Sequence, residues 1–417
     1  MKKVNSFFLS QILHNNVYDE YGDIGKLFDI YVTNEEFYPK AIGYIIKKGG
    51  EYFNYEFRNI DVYQNEENGK LKVTVKGVKD IIPRKFSYLL SKNLLDKQIV
   101  DINGKKLVKV NDLRMAELSG ELKVVAVDTS RQALARRLKL EGIYKFINSV
   151  LNKKNEESLI IWDNVESIDL GEDLRLSVSY KKLSKLHPAD IADILEDMDS
   201  EYRHKVFESL EENLAADTLE EIEPEYQADI LESLSISKTA EVLENMPNDE
   251  IADLLDEVDE KTKEKILINL EKEDAEEVKA LLKYKDEEAG SLMNKDFISF
   301  DINITCEETI ELLRQLDPED EVAYYIYITD DEKLKGVVSL KDIILSDKDE
   351  YLKDIMIADV IKVRDDDSVE KAVDLAIKYN LLSLPLVDKE DRLTGIIVLS
   401  DIIDEVLLPV WKRKFRH

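Results

Sequence analysis

Three patterns of apolar and polar residues divide the chain. In residues 1–180 the two types alternate over short stretches such as KLFDIYV (26–32) and ELKVVAVDTS (121–130). This alternation, rich in Val, Ile and Tyr, predicts half-buried β-strands. In residues 183–285 apolar side chains recur every three or four positions, which predicts helices. In residues 292–408 strand and helix patterns alternate.

The strand-rich region looks duplicated. VYDEYGDIGKLFDIYV from Val17 parallels IVDINGKKLVKVNDL from Ile99, and FRNIDVY from Phe57 parallels WDNVESI from Trp162. Each copy then continues into a strand pattern, KLKVTV in the first and LRLSVS (174–179) in the second. We therefore predict two small all-β barrels in tandem, over residues 1–82 and 83–180.

A short acidic helix is repeated in the middle of the chain. ADILEDM (192–198), ADILESL (228–234) and ADLLDEV (252–258) begin at intervals of 36 and 24 residues, both multiples of 12. The unit is thus one helix of two or three turns with its connection. Because such short helices are marginal alone, they must stack their apolar faces on one another. The prediction for 183–288 is an all-α superhelix.

The last region contains a third repeat, of mixed type. Residues 292–315 align with 355–378 at a constant offset of 63, and each copy reads strand, helix, strand, strand, helix. The final step is GVVSLKD (336–342) in the first copy and GIIVLSD (395–401) in the second. We predict a tandem α+β pair with domains at 291–350 and 351–409.

Charge then narrows the classes of partner. The chain has 89 Asp and Glu against 58 Lys and Arg, a net charge of −31. This excess disfavours nucleic acid, which proteins bind by neutralising its phosphates. It favours cations as partners, with a merely solvated acidic surface as the alternative.

Other classes are disfavoured by what the sequence lacks. The single cysteine, Cys306, and the absence of a signal peptide or a membrane-spanning apolar run suggest a cytoplasmic polypeptide or the cytosolic part of a larger one. The four histidines, at positions 14, 187, 204 and 417, have no metal-ligand spacing, and no nucleophile or phosphate-loop motif is present. We therefore expect a protein that is not an enzyme.

These segments resemble known families. The two β-rich copies are similar to PRC-barrel domains, which implies interaction modules. The α+β pair resembles a tandem pair of CBS domains. An acidic superhelix that runs through DEEAGSLM (286–293) into a CBS pair containing YYIY (324–327) resembles the cytosolic part of MgtE magnesium transporters. That resemblance spans residues 183–408.

The MgtE resemblance implies a Mg²⁺-sensing role and a set of metal positions. In that family Mg²⁺ between the helical domain and the CBS domains holds a compact form that favours channel closure. The matching positions are Asp249 and Asp253, at i and i+4, and Asp401 and Asp404, at i and i+3. Mg²⁺ takes oxygen ligands and keeps several waters, and Mn²⁺ is the alternative cation. A solvated helix face is the alternative for the first pair, and a ribose contact or a helix N-cap is the alternative for Asp401.

One departure from the family weakens this metal assignment. Family carboxylates earlier in the second CBS domain correspond here to Ser368 and Asn380. The neighbouring run Asp365–Asp367 offers substitutes, although a hydrophilic loop is the simpler interpretation.

CBS pairs also bind ATP or another adenine nucleotide, and the family positions fall on Tyr325, Lys341 and Asp342. In the alternative interpretation, Tyr325 is only a strand residue and Asp342 only a helix cap. The resemblance further implies a homodimer through the CBS domains and a membrane divalent-cation transporter as partner. The aromatic and basic tail at 410–417 suggests contact with an anionic membrane surface or an acidic partner, with a merely solubilising end as the alternative.

The leading hypothesis is a cytosolic Mg²⁺-sensing regulatory protein or module of a magnesium transport system. It would gate a membrane transporter through Mg²⁺-dependent closure of the helical domain on a CBS dimer. The alternative is an adenine-nucleotide-responsive CBS adaptor whose acidic face is incidental.

Overall fold

The computed structural model describes residues 1–33, 38–57, 60–66, 69–81, 87–144, 158–167, 182–316, 318 and 322–407, without the side chains of Ser167, Glu257, Lys265, Asp404 and Glu405. The strand expected at 174–179 and the tail at 410–417 lie outside the described residues. The chain divides into two compact units, Met1–Glu223 and Pro224–His417, and each is described by itself.

The first part of unit 1 is built mainly of strands, as its alternating pattern predicts. The strands are β1 (Lys2–Lys3), β2 (Ser6–Phe8), β3 (Asn16–Tyr18), β4 (Asp23–Thr33), β5 (Lys40–Lys48), β6 (Glu51–Glu56), β7 (Ile60–Gln64), β8 (Leu71–Val75), β9 (Ser87–Leu89), β10 (Gln98–Asp101), β11 (Lys106–Lys109), β12 (Asp112–Leu118), β13 (Glu121–Asp128), β14 (Leu159–Ile161) and β15 (Val165–Ser167). Three short helices accompany them: α1 (Leu9–Ile12), α2 (Leu90–Asn93) and α3 (Arg131–Arg137).

The two sequence copies share one large sheet. Twelve strands follow the order β1-β7-β8-β3-β4-β5-β13-β12-β2, with β14, β6 and β9 paired to β13, β5 and β4. A second, three-stranded sheet has the order β11-β10-β15. The strand that leads into the short helix of each copy pairs with the other copy, since β2, before α1, lies antiparallel to β12, and β9, before α2, lies antiparallel to β4.

The exchange is anchored by two equivalent buried carboxylates. Asp112 of the second copy accepts hydrogen bonds from the backbone N–H and hydroxyl of Ser10, in the first turn of α1, at 3.1 and 2.5 Å. Asp29 of the first copy does the same for Ser91 in α2, at 2.9 and 2.5 Å. Burial raises the pKa of both carboxyls, and their hydrogen bonds oppose that shift.

One apolar core runs through both copies. It contains Leu9 and Ile46 from the first copy and Leu90 and Trp162 from the second. Over the described residues the β-rich region is therefore an interlocked pair and not two barrels with separate sheets. The all-β character is confirmed, while the PRC-barrel assignment and its boundary at residue 82 stay predictions.

The central region confirms the 12-residue helical unit. Helices begin at intervals of twelve residues: α4 (Pro188–Glu196), α5 (Ser200–Glu208), α6 (Glu212–Glu220), α7 (Pro224–Ser233), α8 (Ile236–Leu243), α9 (Asn248–Glu257), α10 (Glu260–Asn269) and α11 (Lys272–Leu281). Within each unit, helices that are separated by one other helix in the sequence pack on each other, as α4 on α6 in unit 1 and α9 on α11 in unit 2. Buried residues fall on the fourth, seventh and eighth positions, as in Ile191, Ile194 and Leu195.

The first of these helices is fastened to the β-rich region of unit 1. The Lys105 ammonium lies 2.5 Å from the Asp190 carboxylate at the start of α4. Lys182 donates to the backbone carbonyl of Val165 at 2.9 Å. Within unit 1 the helical repeat thus begins directly against the second β-rich copy.

The C-terminal pair has the predicted order twice. The first copy contains β16 (Ser299–Asp301), α12 (Cys306–Leu316), β17 (Tyr325–Asp330), β18 (Lys333–Ser339) and α13 (Leu340–Leu345). After α14 (Leu352–Ile355) the second contains β19 (Val363–Arg364), α15 (Val369–Tyr379), β20 (Ser383–Val387), β21 (Leu393–Val398) and α16 (Leu399–Asp401), followed by a π-helical turn over 402–407. Each sheet joins a parallel pair to an antiparallel hairpin.

These two copies also complete one another. Asn294, before the first strand of the first copy, exchanges backbone hydrogen bonds with Ile396 of the second, and Ile357 of the second does the same with Val337 of the first. Met356 lies over Gly336, and Met293 lies over Gly395, so closely that a Cβ there would approach the methionine to 2.4 Å. The close packing of these methionines therefore explains why the two GVVSLKD-type motifs have glycine at positions 336 and 395.

No helix among the described residues is long and apolar enough to cross a membrane.

We predict that Asp29→Ala destabilises the β-rich region by about 2–4 kcal/mol, because it leaves buried donors of α2 without an acceptor. Asp112→Ala should cost a similar amount. The measurement is urea unfolding followed by the fluorescence of buried Trp162, in a Trp411→Phe background that removes the other tryptophan. Glu51→Ala, at an exposed position, is the control; equal midpoints for Asp29→Ala and the control would refute the anchoring role.

Candidate functional site

The segment between the helical repeat and the CBS pair is strapped onto the second CBS copy. The backbone N–H groups of Ala289 and Gly290 donate to the carbonyls of Asp367 and Asp365 at 2.7 and 2.9 Å. The Tyr284 hydroxyl donates to the Asp365 carboxylate at 3.3 Å. Gly290 lies against the Tyr284 ring, where a Cβ would come within 2.5 Å. These contacts define a strap, residues 284–290, which fixes the connection between α11 and the second CBS copy.

Acidic side chains of α11 change the pKa of a residue at the start of the first CBS copy. The Asn248 side-chain amide at the start of α9 donates to Glu277 at 2.9 Å and lies 3.5 Å from the Asp274 carboxylate, so α9 and α11 are joined. Desolvation, and then repulsion from Glu277 and Asp274, raise the pKa of Asp296. The arrangement disfavours three ionised carboxylates together unless a cation offsets them.

Lys295 supplies part of that offset. Its ammonium donates to the carbonyl of Thr394 at 2.7 Å. Desolvation lowers the pKa of Lys295, while the carboxylates of Glu277 and Asp365 favour its charged form. One lysine cannot balance the several acids around it, so the local charge stays negative.

The metal positions implied by the MgtE resemblance lie on two elements of unit 2. Asp249 and Asp253 lie one turn apart on α9; Asp249 is half-buried and Asp253 is exposed. Asp401 ends α16 and is half-buried, and the side chain of Asp404 lies outside the described residues. An N-cap role for Asp401 is wrong, because Val398 holds that position. As a metal set the four residues stay a prediction.

The described residues fit Mg²⁺ in donor type but do not gather a complete ligand cage. Over the parts of the chain that the structure describes, no three His, Cys, Asp or Glu side chains are close enough to hold a metal ion. The donors are carboxylates, the ligands that Mg²⁺ prefers. Mg²⁺ commonly binds one or two carboxylates and keeps its remaining waters. Pairs such as Asp249 with Asp253 would suffice for that mode.

The acidic run in the second CBS copy is already engaged. Asp366 pairs with Arg364 at 2.9 Å and Asp367 with Lys371 at 2.6 Å. The Asp365 carboxylate accepts from Tyr284. These contacts support a structural loop at Asp365–Asp367 rather than a substitute metal site.

An open cleft of about 650 Å³ lies at the first CBS copy. It collects all three predicted nucleotide residues, Tyr325, Lys341 and Asp342. Apolar side chains at its mouth are exposed, among them Tyr324 at 49% and Ile357 at 59%. A planar base would bury this apolar surface, and ligand pockets are lined mainly by apolar and aromatic side chains.

Ser339 and Asp342 form one hydrogen-bonded unit in the cleft. Ser339, not Asp342, is the N-cap of α13; its hydroxyl accepts from the Asp342 N–H at 3.1 Å and donates to the Asp342 carboxylate at 2.6 Å. The helix-cap interpretation of Asp342 is therefore wrong, and its second carboxylate oxygen is available for a ligand. In the other copy Val398 stands in the place of Ser339, so the same unit cannot form there.

Several residues of this region carry no sequence signal for a site. Asp274 and Glu277 share a helix face at i and i+3, but so do many acidic pairs in this chain. Lys295 and Asp296 lie in a connection without periodicity. Only the packing of α11 near residues 294–296 reveals that they interact.

The helical repeat and the C-terminal pair match known protein families. Residues 186–287 match the MgtE intracellular N domain, and residues 289–348 and 352–408 each match the CBS domain. The crystal structure of the cytosolic domain of the Mg²⁺ channel MgtE in complex with ATP is 34% identical, with a TM-score of 0.52, over 54% of this chain and 93% of that one. Residues 186–408 belong to the MgtE family.

Curated relatives agree with this assignment. The magnesium transporter MgtE of Thermus thermophilus is 40% identical over 129 residues, which are 31% of this chain and 29% of that protein. MgtE of Enterococcus faecalis is 38% identical over 135 residues, or 32% of this chain and 30% of that protein. The chain thus spans about 30% of the length of these MgtE relatives, within its MgtE-like part.

We predict that Gly290→Ala loosens the strap, because the new Cβ would overlap the Tyr284 ring; overpacking of this kind costs about 1–3 kcal/mol. Limited trypsin digestion should then cut after Lys283 or Lys285 about tenfold faster. Gly142→Ala, where a Cβ meets nothing within 4 Å, is the control. Unchanged cleavage in Gly290→Ala would show that the strap does not restrain this segment.

Proposed function

We propose that this chain is a Mg²⁺-responsive regulatory module of a divalent-cation transport system, acting in the cytoplasm without enzymatic activity. Support comes from the MgtE N domain and CBS pair, and from the similarity to the cytosolic domain of a Mg²⁺ channel. Charge supports it too: residues 181–417 contain 63 Asp and Glu against 30 Lys and Arg, whereas residues 1–180 are nearly balanced at 26 against 28.

The observation that carries this proposal is the electrostatic repulsion between the acidic side chains of α11 and Asp296 at the start of the CBS pair. Desolvation raises the pKa of Asp296, and repulsion from Glu277 and Asp274 raises it further. Repulsion between close carboxylates in a partly solvated gap amounts to a few kcal/mol per pair, so a bound divalent cation would favour closure. We place the response at these residues and at Asp249 and Asp253.

The proposed partners follow from the exposed surface and from the family. Apolar side chains on the CBS helices are exposed, including Leu345 at 75% on α13 and Ile377 at 61% on α15. Burial of these faces in a CBS homodimer would remove apolar area from water. A membrane divalent-cation transporter is the proposed target, because the matched relatives are magnesium transporters.

We predict that Mg²⁺ from zero to tens of millimolar produces a saturable decrease in the radius of gyration measured by small-angle X-ray scattering. Asp249→Asn with Asp253→Asn, and separately Asp274→Asn with Glu277→Gln, should greatly reduce this dependence, because each pair replaces two charged carboxylates by neutral amides and so removes both the repulsion and the anionic ligands. A midpoint shift of about tenfold corresponds to about 1.4 kcal/mol.

The matched control is Glu273→Gln with Glu276→Gln, which removes the same charge from exposed positions of α11. Its response should equal that of the wild type. A radius of gyration that ignores Mg²⁺ in the wild-type chain would overturn the proposal, and an equal loss in the control would reduce it to a general effect of charge.

A second function is favoured by the cleft. We propose that it binds an adenine nucleotide, with Tyr325 near the base, Asp342 at the ribose hydroxyls and Lys341 near phosphate. The ATP complex of the related MgtE domain supports this ligand class. The free carboxylate oxygen of Asp342 and the exposed apolar rim support the placement.

We predict that Asp342→Asn weakens adenosine binding about tenfold or more by isothermal titration calorimetry, because a hydrogen bond to a charged acceptor contributes about 1.5–3 kcal/mol. Asp349→Asn, an exposed acid of the same copy, should leave the affinity unchanged. Equal affinities for the two variants would place the nucleotide elsewhere.

A further inference from the structure

The described residues that line the cleft include few charged groups. Among the described residues that line it, Lys341 is the basic one and Asp342 the acidic one, and their charges cancel. With Asp342 assigned to the ribose, a single exposed ammonium is left for the phosphates. A monophosphate can be paired by that group, but each further phosphoryl group would lack a cation among the described residues that line the cleft.

The surroundings of the cleft oppose additional negative charge. Residues 291–407 contain 29 Asp and Glu against 13 Lys and Arg. The field of such a surface acts over about 10 Å at 0.1 M salt and repels anions more strongly as their charge grows. The extra phosphoryl groups of a triphosphate would therefore reduce affinity unless a bound divalent cation neutralised them.

The equivalent positions of the second CBS copy do not supply further positive charge for the phosphates. At the position of Ser339 it has Val398, and at the position of Lys341 it has Ser400. It thus lacks both the hydroxyl that orients the acidic side chain and the base for phosphate. The pair has one nucleotide cleft of this kind over the residues described, with one lysine.

We propose that the cleft selects adenine nucleotides of low charge: it binds AMP in preference to metal-free ATP, and takes the triphosphate only as its Mg²⁺ complex. This inference rests on the proposed nucleotide function of the cleft. Lys341 is the residue that distinguishes a nucleotide from the nucleoside, and the shortage of further bases sets the limit on phosphate number. Mg²⁺ would then affect this chain through the ligand as well as through its carboxylates.

The test is isothermal titration calorimetry of the full chain with adenosine, AMP and ATP, each with EDTA and with millimolar Mg²⁺. AMP should bind at least about tenfold more tightly than metal-free ATP, and Mg²⁺ should raise the affinity for ATP about tenfold while leaving adenosine unchanged. Lys341→Met should lower AMP to the affinity of adenosine. Lys348→Met, an exposed lysine of the same copy, should alter neither.

The outcomes separate the two proposals. If none of the three ligands binds, the nucleotide function itself fails. If metal-free ATP binds more tightly than AMP, the cleft is a nucleotide site but the selectivity inference is overturned. If Mg²⁺ strengthens adenosine as much as ATP, the cation acts on the protein and not on the ligand charge, which also overturns it.

Discussion

Each repeat in this chain leaves a surface that only a neighbouring copy can complete. In the β-rich region the strand before the short helix of each copy pairs with the other copy, and Asp29 and Asp112 hold the helices that follow these strands in place. In the CBS pair the exchange is made by the segments around Asn294 and Ile357. Because each copy finishes its partner, the copies within each pair are expected to fold together, and their relative positions are fixed by backbone hydrogen bonds.

The proposed response to Mg²⁺ therefore lies at the junction of the helical repeat and the CBS pair in unit 2. The strap pins residues 284–290 to the second CBS copy through Asp365 and Asp367, and none of these contacts needs a cation. The carboxylates of α11 and the residues around Asp296 lie beside this fixed point. In the proposed response, a change in cation concentration would alter the repulsion between these carboxylates and so shift the balance between closed and open arrangements.

The distribution of charge links the two proposed ligands. Residues 181–417 carry all of the net negative charge, so they attract divalent cations and repel free nucleotide phosphates. Under the proposed selectivity, a cleft with one lysine takes a nucleotide only when that ligand brings little charge or its own metal. Both proposed responses follow from this excess of acid, whereas the nearly neutral β-rich region does not contribute to it.

Much of this organisation was determined by sequence alone, because periodicity is a local property. The 12-residue helical unit, the duplicated β-rich region and the offset of 63 in the CBS pair are all visible in the order of apolar residues, and Tyr325, Lys341 and Asp342 meet in one cleft as the family motif implies. Tertiary structure decided what periodicity cannot encode. The exchange that joins the two β-rich copies, the cap at Ser339 rather than Asp342, and the approach of Asp274 and Glu277 to Asp296 depend on packing between distant segments, and no short stretch of sequence records which surfaces those segments bury together.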